Sequence, residues 1–97
     1  MTDAVVNFTI IVTADSIKDD VTQLFAAGNI KNLGEENSLL AKLDAAASRR
    51  AAGDCNAAAN IYQAFINELD AQKGKGVDPA AAAIMIADAQ YLIAHCP

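Results

Sequence analysis

The spacing of apolar residues changes once along this chain. Over 6–13, Val6, Phe8, Ile10 and Val12 alternate with Asn7, Thr9, Ile11 and Thr13, a period of two with β-branched enrichment that predicts one strand or extended arm. Beyond it the spacing becomes three-four and predicts four helices. The first starts at Ser16, whose hydroxyl can accept an orphan backbone N–H while Asp19 holds the capping-box position, and it buries Ile17, Val21, Leu24 and Phe25. Gly28 stops it, and Ile30 and Leu33 fold back from the loop onto the apolar face. The second covers 35–52, with Leu39, Leu40, Leu43, Ala46 and Ala47 on one face and Glu35 and Glu36 at the positive end of its dipole. Arg49 and Arg50 complement the opposite end, a role preferred over an anion site made by two adjacent arginines on diverging faces. The third is capped by Asp54, buries Ala58, Ile61, Tyr62, Phe65, Ile66 and Leu69, and closes at Gly74. Asp78 followed by Pro79 opens the fourth, which runs to His95 or Cys96. In this last helix Ile84, Met85, Ile86, Leu92 and Ile93 spread around most of the circumference. That places it centrally in the bundle, or else leaves Ile86 and Ile93, with Tyr91 beside them, as a docking surface for a partner.

The expected fold is therefore all-α, a four-helix bundle of short antiparallel helices over 15–97, preceded by an N-terminal β-strand or extended arm over 1–14. A lone strand has nothing to pair with in an otherwise helical chain, so the arm reads as the last strand of an upstream β-sandwich; an arm lying on the helices is the alternative. With 97 residues the chain holds one domain at most, and a core of this size depends on caps, a crosslink or a neighbour. Composition sharpens the helical reading: 54% of residues are hydrophobic but only 5% aromatic, and alanine supplies the excess. A net charge of −5 repels phosphate backbones and anionic membrane surfaces, which argues against nucleic acid as a partner. The longest apolar run, 80–87, is far too short to cross a bilayer, which needs about 20 residues, so no membrane insertion is expected.

Candidate chemistry is sparse. Cys55 opens the third helix and Cys96 closes the fourth, so an antiparallel hairpin puts both at one end. A disulfide there would close a loop of about forty residues, worth roughly 4 kcal/mol in the chain-entropy account, and would place the domain outside the reducing cytosol. Two buried thiols, or a zinc site of Cys55, Cys96 and His95 without a fourth ligand, are the other readings. His95, the only histidine, has no serine or aspartate tied to it by a catalytic signature, and Asp19 with Asp20 and Glu35 with Glu36 read as solvated charges. Neither a calcium loop nor a glycine-rich phosphate cradle occurs, and no cofactor is expected. Tyr62 and Tyr91 are the only aromatics that could serve as a sugar platform.

The runs ENSLLAKLDAA at 36–46, AFINELDAQ at 64–72 and IADAQ at 86–90 carry a resemblance to the FIMAH domain, extending over 15–97. The resemblance covers element order as well, including the glycine turn before the third helix and the Gly-Lys link before the alanine-rich last one. It implies a small helical module near the C-terminus of large exported bacterial proteins, often after immunoglobulin-like or PKD-like repeats and sometimes attached to polysaccharide- or protein-degrading enzymes. It brings no catalytic residues. Asn37 and Asn67, polar positions within the matching runs, can cap or bridge backbone groups of a neighbouring turn and are expected to serve architecture rather than ligand contact, where the second and third helices pack together. The function expected is that of a non-catalytic accessory module whose partner is a neighbouring domain of the same chain or another extracellular protein. The alternative is a carbohydrate- or matrix-binding module appended to an extracellular hydrolase or lyase.

Overall fold

A computed structural model describes residues 12–95. They form an all-α bundle of four helices, α1 (Ala14–Ala26), α2 (Leu33–Ala51), α3 (Cys55–Gln72) and α4 (Pro79–Ala94). Residues 6–11 of the expected strand lie outside the described part, as does Cys96. Thr13, the strand's expected last residue, instead serves as the N-cap of α1 with an extended backbone.

Two helix starts differ from expectation, each because a better cap stands upstream. At α1 the Thr13 Oγ1 accepts the Ser16 N–H at 3.0 Å, and the Ser16 Oγ accepts the Thr13 N–H at 3.0 Å. Ser16 is thus the returning half of a reciprocal capping box, and Asp19 takes no part. At α2 the Asn32 Oδ1 accepts the Glu35 N–H at 2.7 Å, so the helix begins at Leu33 rather than Glu35. Leu33 then occupies the first turn on the outer side and is 58% exposed instead of folding back, whereas Ile30 is buried as expected. The caps of α3 and α4 fall on Asp54 and Asp78, as their sequence signals require.

The bundle is a ring in which each helix packs against two neighbours: α2 touches α1 and α3, α3 touches α2 and α4, and α4 closes onto α1. Its axis is filled by Ile17 and Val21 from α1, Leu39 and Leu43 from α2, Tyr62, Phe65 and Leu69 from α3, and Met85 and Leu92 from α4. Burial of such side chains contributes about 1.5–3 kcal/mol each before conformational entropy is subtracted. Helix α4 is not central. Its buried stripe is Ala81, Ala82, Met85, Ala89 and Leu92, a regular three-four pattern that alanine conceals by occupying the outer face as well. Ile86 and Ile93 flank the stripe, half-buried against the core.

The α1–α2 and α3–α4 loops, at the same end of the bundle, are pinned together by an antiparallel bridge between Ile30 and Val77. The Lys31 N–H donates to the Gly76 carbonyl and the Asp78 N–H to the Asn29 carbonyl, both at 2.8 Å. Ile30 and Val77 themselves are buried, so this short pairing seals the end of the core. Gly28 makes the turn into it with φ +87°, a conformation that costs other residues about 1 kcal/mol or more.

Candidate functional site

Three features of the bundle can carry chemistry or recognition. The first is a cleft of about 420 Å³ between α1 and α4, lined by Asp20, Gln23, Leu24, Ala27, Ala81, Ile84 and Met85. Ile84 is 61% exposed at its edge although Met85, beside it, is fully buried. Burial raises the Asp20 carboxyl above its ordinary range, helped by Asp19, and burial likewise raises Asp88, helped by the charge of Asp20. The Asp20 charge reaches Asp88 across the α1–α4 seam, and Asp20 itself lines the apolar cleft and puts negative charge at its margin.

The second feature is a carboxylate pair in the α2–α3 seam. Glu68 Oε1 accepts from Ser38 Oγ at 2.9 Å and pairs with Lys42 Nζ at 2.7 Å, while Lys42 also reaches Ser38 Oγ at 3.1 Å. Glu35 joins this cluster with its Oε2 buried and lacking any donor from a neutral or cationic neighbour. Burial and the neighbouring Glu68 both favour the protonated form of Glu35. Burial first, then the hydrogen bond to Glu68 and its charge, push Glu35 from 4.5 up to about 7, with Lys42 opposing. Burial alone would raise Glu68, but hydrogen bonds from Glu35, Lys42 and Ser38 outweigh it and hold Glu68 below its ordinary value. Sequence reasoning placed Glu35 and Glu36 in solvent; in fact Glu35 is half-buried and Glu36 is buried.

The pair sets a pH dependence. A carboxyl raised in the folded state adds stability below its unfolded pKa, and this is lost as the pH rises through about 7; lowered Glu68 adds stability that is lost at low pH. Glu35→Gln supplies a permanent N–H donor to Glu68. Urea unfolding should therefore show the variant more stable than wild type at about pH 8 by about 1 kcal/mol, after discounting for partial exposure, with the gap closing near pH 5. Parallel pH profiles for the two proteins would contradict the protonated form of Glu35.

The third feature is a cleft of about 380 Å³ at the start of α1, lined by Thr13, Ala14, Asp15, Ala47, Arg50, Ala51 and Tyr62. Tyr62 is fully buried, which removes it as a sugar platform, and its hydroxyl has no hydrogen-bond partner.

Of the residues singled out from sequence, Cys55 is half-buried at the first turn of α3. Tyr91 is 45% exposed, and its ring stacks on His95 with centroids 4.0 Å apart. The His95 Nδ1 also lies 2.8 Å from the Tyr91 carbonyl, so the histidine finishes α4 rather than facing a substrate. Asn37 and Asn67 are both exposed, and Asn67 only accepts from Gln63 of its own helix at 3.1 Å. The polar contacts between α2 and α3 are made instead by Ser38, Lys42 and Glu68. Among the described residues no cluster of histidine, cysteine, aspartate and glutamate could hold a metal ion, and no helix is long and apolar enough to cross a membrane.

Four short helices closed into a ring, with two clefts and a polar seam as candidate features among the described residues, make a small helical domain. The FIMAH domain model matches residues 14–94, and the chain belongs to that family. No curated protein and no solved structure matches the chain.

Proposed function

We propose that this domain is a non-catalytic docking module of a secreted or cell-surface multidomain protein, and that its α1–α4 cleft receives an apolar side chain from a neighbouring domain or another extracellular protein. The supporting observation is the cleft itself, where Ile84 stands 61% exposed beside a concave surface of Leu24, Ala27, Ala81 and Met85. A large aliphatic group held in water next to a pocket of its own polarity favours contact with protein. The raised Asp20 and Asp88 at the margin favour a partner that brings a lysine or arginine alongside its apolar group. Exposed Tyr91, two turns beyond Ile84 on the same face, extends the proposed contact along α4, whereas Ile86 and Ile93 lie on the other flank of the buried stripe.

A non-catalytic role agrees with the position of Glu35 and Glu68 in the α2–α3 seam, away from both clefts. A polysaccharide ligand has less support, since Tyr62 is buried and Tyr91 stacks on His95. Export is part of the same proposal. Helices α3 and α4 are packed neighbours joined by a short link, which brings Cys55 to the end of the hairpin where α4 runs out toward Cys96, and a bridge between them would suit an oxidising compartment. So is the division into an arm, proposed as the last strand of an upstream β-sandwich, and a bundle, with the boundary moved from 14 to the Thr13 cap of α1.

Ile84→Glu tests the docking face. In the isolated domain the change should fall within about 0.5 kcal/mol of wild type, because Ile84 is exposed. In the parent protein the domain should melt higher than it does alone, and Ile84→Glu should remove that difference. An unchanged midpoint for Ile84→Glu in the parent protein would contradict docking through this cleft.

A further inference from the structure

We infer that the cleft at the start of α1 is a second recognition site, separate from the α1–α4 docking face, which takes the carboxylate of an aspartate or glutamate side chain from a polypeptide partner. Three independent features converge there. Arg50 is half-buried, and no ion pair or hydrogen bond engages its guanidinium among the described residues. The Tyr62 hydroxyl is buried without a partner on the same cleft. The backbone N–H groups of Ala14 and Asp15 precede the first hydrogen-bonded turn of α1, where the helix dipole is positive.

Each feature alone has an ordinary structural reading. Arg50 lies in the last turn of α2 and complements its dipole, but that does not require it to line a cleft together with an orphan hydroxyl. An unpartnered buried hydroxyl costs about 1–3 kcal/mol, which phenylalanine at this position would avoid. Burial raises the Tyr62 hydroxyl above its ordinary value while Arg50 pulls it down, so the guanidinium charge reaches the hydroxyl. Arg50, the Tyr62 hydroxyl and the free N–H groups are all donors, and an oxyanion is the ligand that satisfies them together.

The walls decide which oxyanion. Ala14, Ala47 and Ala51 offer methyl groups that suit the aliphatic stem of an acidic side chain, and the cleft has no exposed aromatic face for a sugar ring. Asp15 is the one carboxylate on its lining; it is exposed and screened by water, unlike Arg50. Two adjacent arginines are not needed, and Arg49 does not line the cleft.

The test is a titration of the domain with N-acetyl-glutamate amide, followed through the backbone amides of Ala14, Asp15 and Ala51 and the Arg50 Nε by nuclear magnetic resonance. N-acetyl-glutamine amide serves as the neutral control and methyl glucuronide as the sugar acid. Saturable shifts are expected with the glutamate compound, with binding at least about tenfold weaker for the glutamine compound and for Arg50→Gln, and unchanged for Arg49→Gln. Tyr62→Phe should weaken binding several-fold while leaving the unfolding midpoint equal or higher, because an orphan hydroxyl is removed without loss of packing. Equal binding of the glutamate and glutamine compounds, or full affinity in Arg50→Gln, would overturn the site. Tighter binding of the glucuronide than of the glutamate compound would overturn its assignment to a polypeptide. None of these readouts involves Ile84, so failure here leaves the docking proposal standing, and the reverse holds.

Discussion

Reduction of the oxidised domain with dithiothreitol is expected to lower its thermal midpoint by about 20 °C. The proposed Cys55–Cys96 bridge closes a loop of about forty residues, and in the chain-entropy account removing it costs roughly 4 kcal/mol, each of which is worth about 4–8 °C in a domain of this size. The effect should be large because the bridge would tie the last turn of α4, which ends at the His95 cap, back onto the start of α3. A thiol titration of the unfolded, non-reduced protein should find no free thiol, with the monomer mass two hydrogens low. Two titratable thiols after oxidative purification, and a midpoint insensitive to reductant, would contradict both the bridge and the argument for export drawn from it.

Truncation of Phe65 to alanine should cost about 3–5 kcal/mol, a large share of the 5–15 kcal/mol available to a domain. Phe65 is fully buried on α3, the helix that packs against both α2 and α4, so the void would lie where two seams meet. Closing it would require moving a helix held by neighbours on either side. The urea midpoint should fall sharply with little change in slope, whereas Ala64→Ser, one position away and exposed, should stay within about 0.5 kcal/mol of wild type. Similar midpoints for the two variants would place the core elsewhere.

How far the sequence revealed this architecture depended on whether a signal was local. The stripe on α3, the Asp54 cap and the Asp78–Pro79 start are encoded within a few residues, and each appears where its spacing put it. Ser16 was seen as a capping residue, but its neighbour Thr13 had been assigned to the strand, so the reciprocal capping box was displaced by a turn. In α4 alanine hid the inward stripe. Because a methyl group is acceptable both against a neighbouring helix and in water, Ala81, Ala82 and Ala89 could not be told from Ala80, Ala83 and Ala87 by periodicity.

The candidate sites were harder to read because they cross seams. Glu35 was noticed beside Glu36, its neighbour in the chain, while the partner that shifts it is Glu68 on the next helix. Arg50 was noticed beside Arg49, while the orphan hydroxyl it faces belongs to Tyr62 and the free N–H groups to α1. Ile84 was counted among the residues making α4 apolar all round, and only the ring arrangement shows it to be the one left in water. Periodicity assigns a residue to a face of its own helix; which residue of another helix it meets is decided by register across the seam.

Docking through the α1–α4 cleft requires that the cleft be covered in the working protein. Hydrogen exchange compared between the isolated domain and the same domain within its parent protein tests this directly. Amides over 20–27 and 81–88, which line or border the cleft, should exchange at least about tenfold more slowly in the parent protein, while those of α2 remain unchanged. Identical exchange over 20–27 and 81–88 in the two contexts would contradict docking and leave the module without its proposed contact.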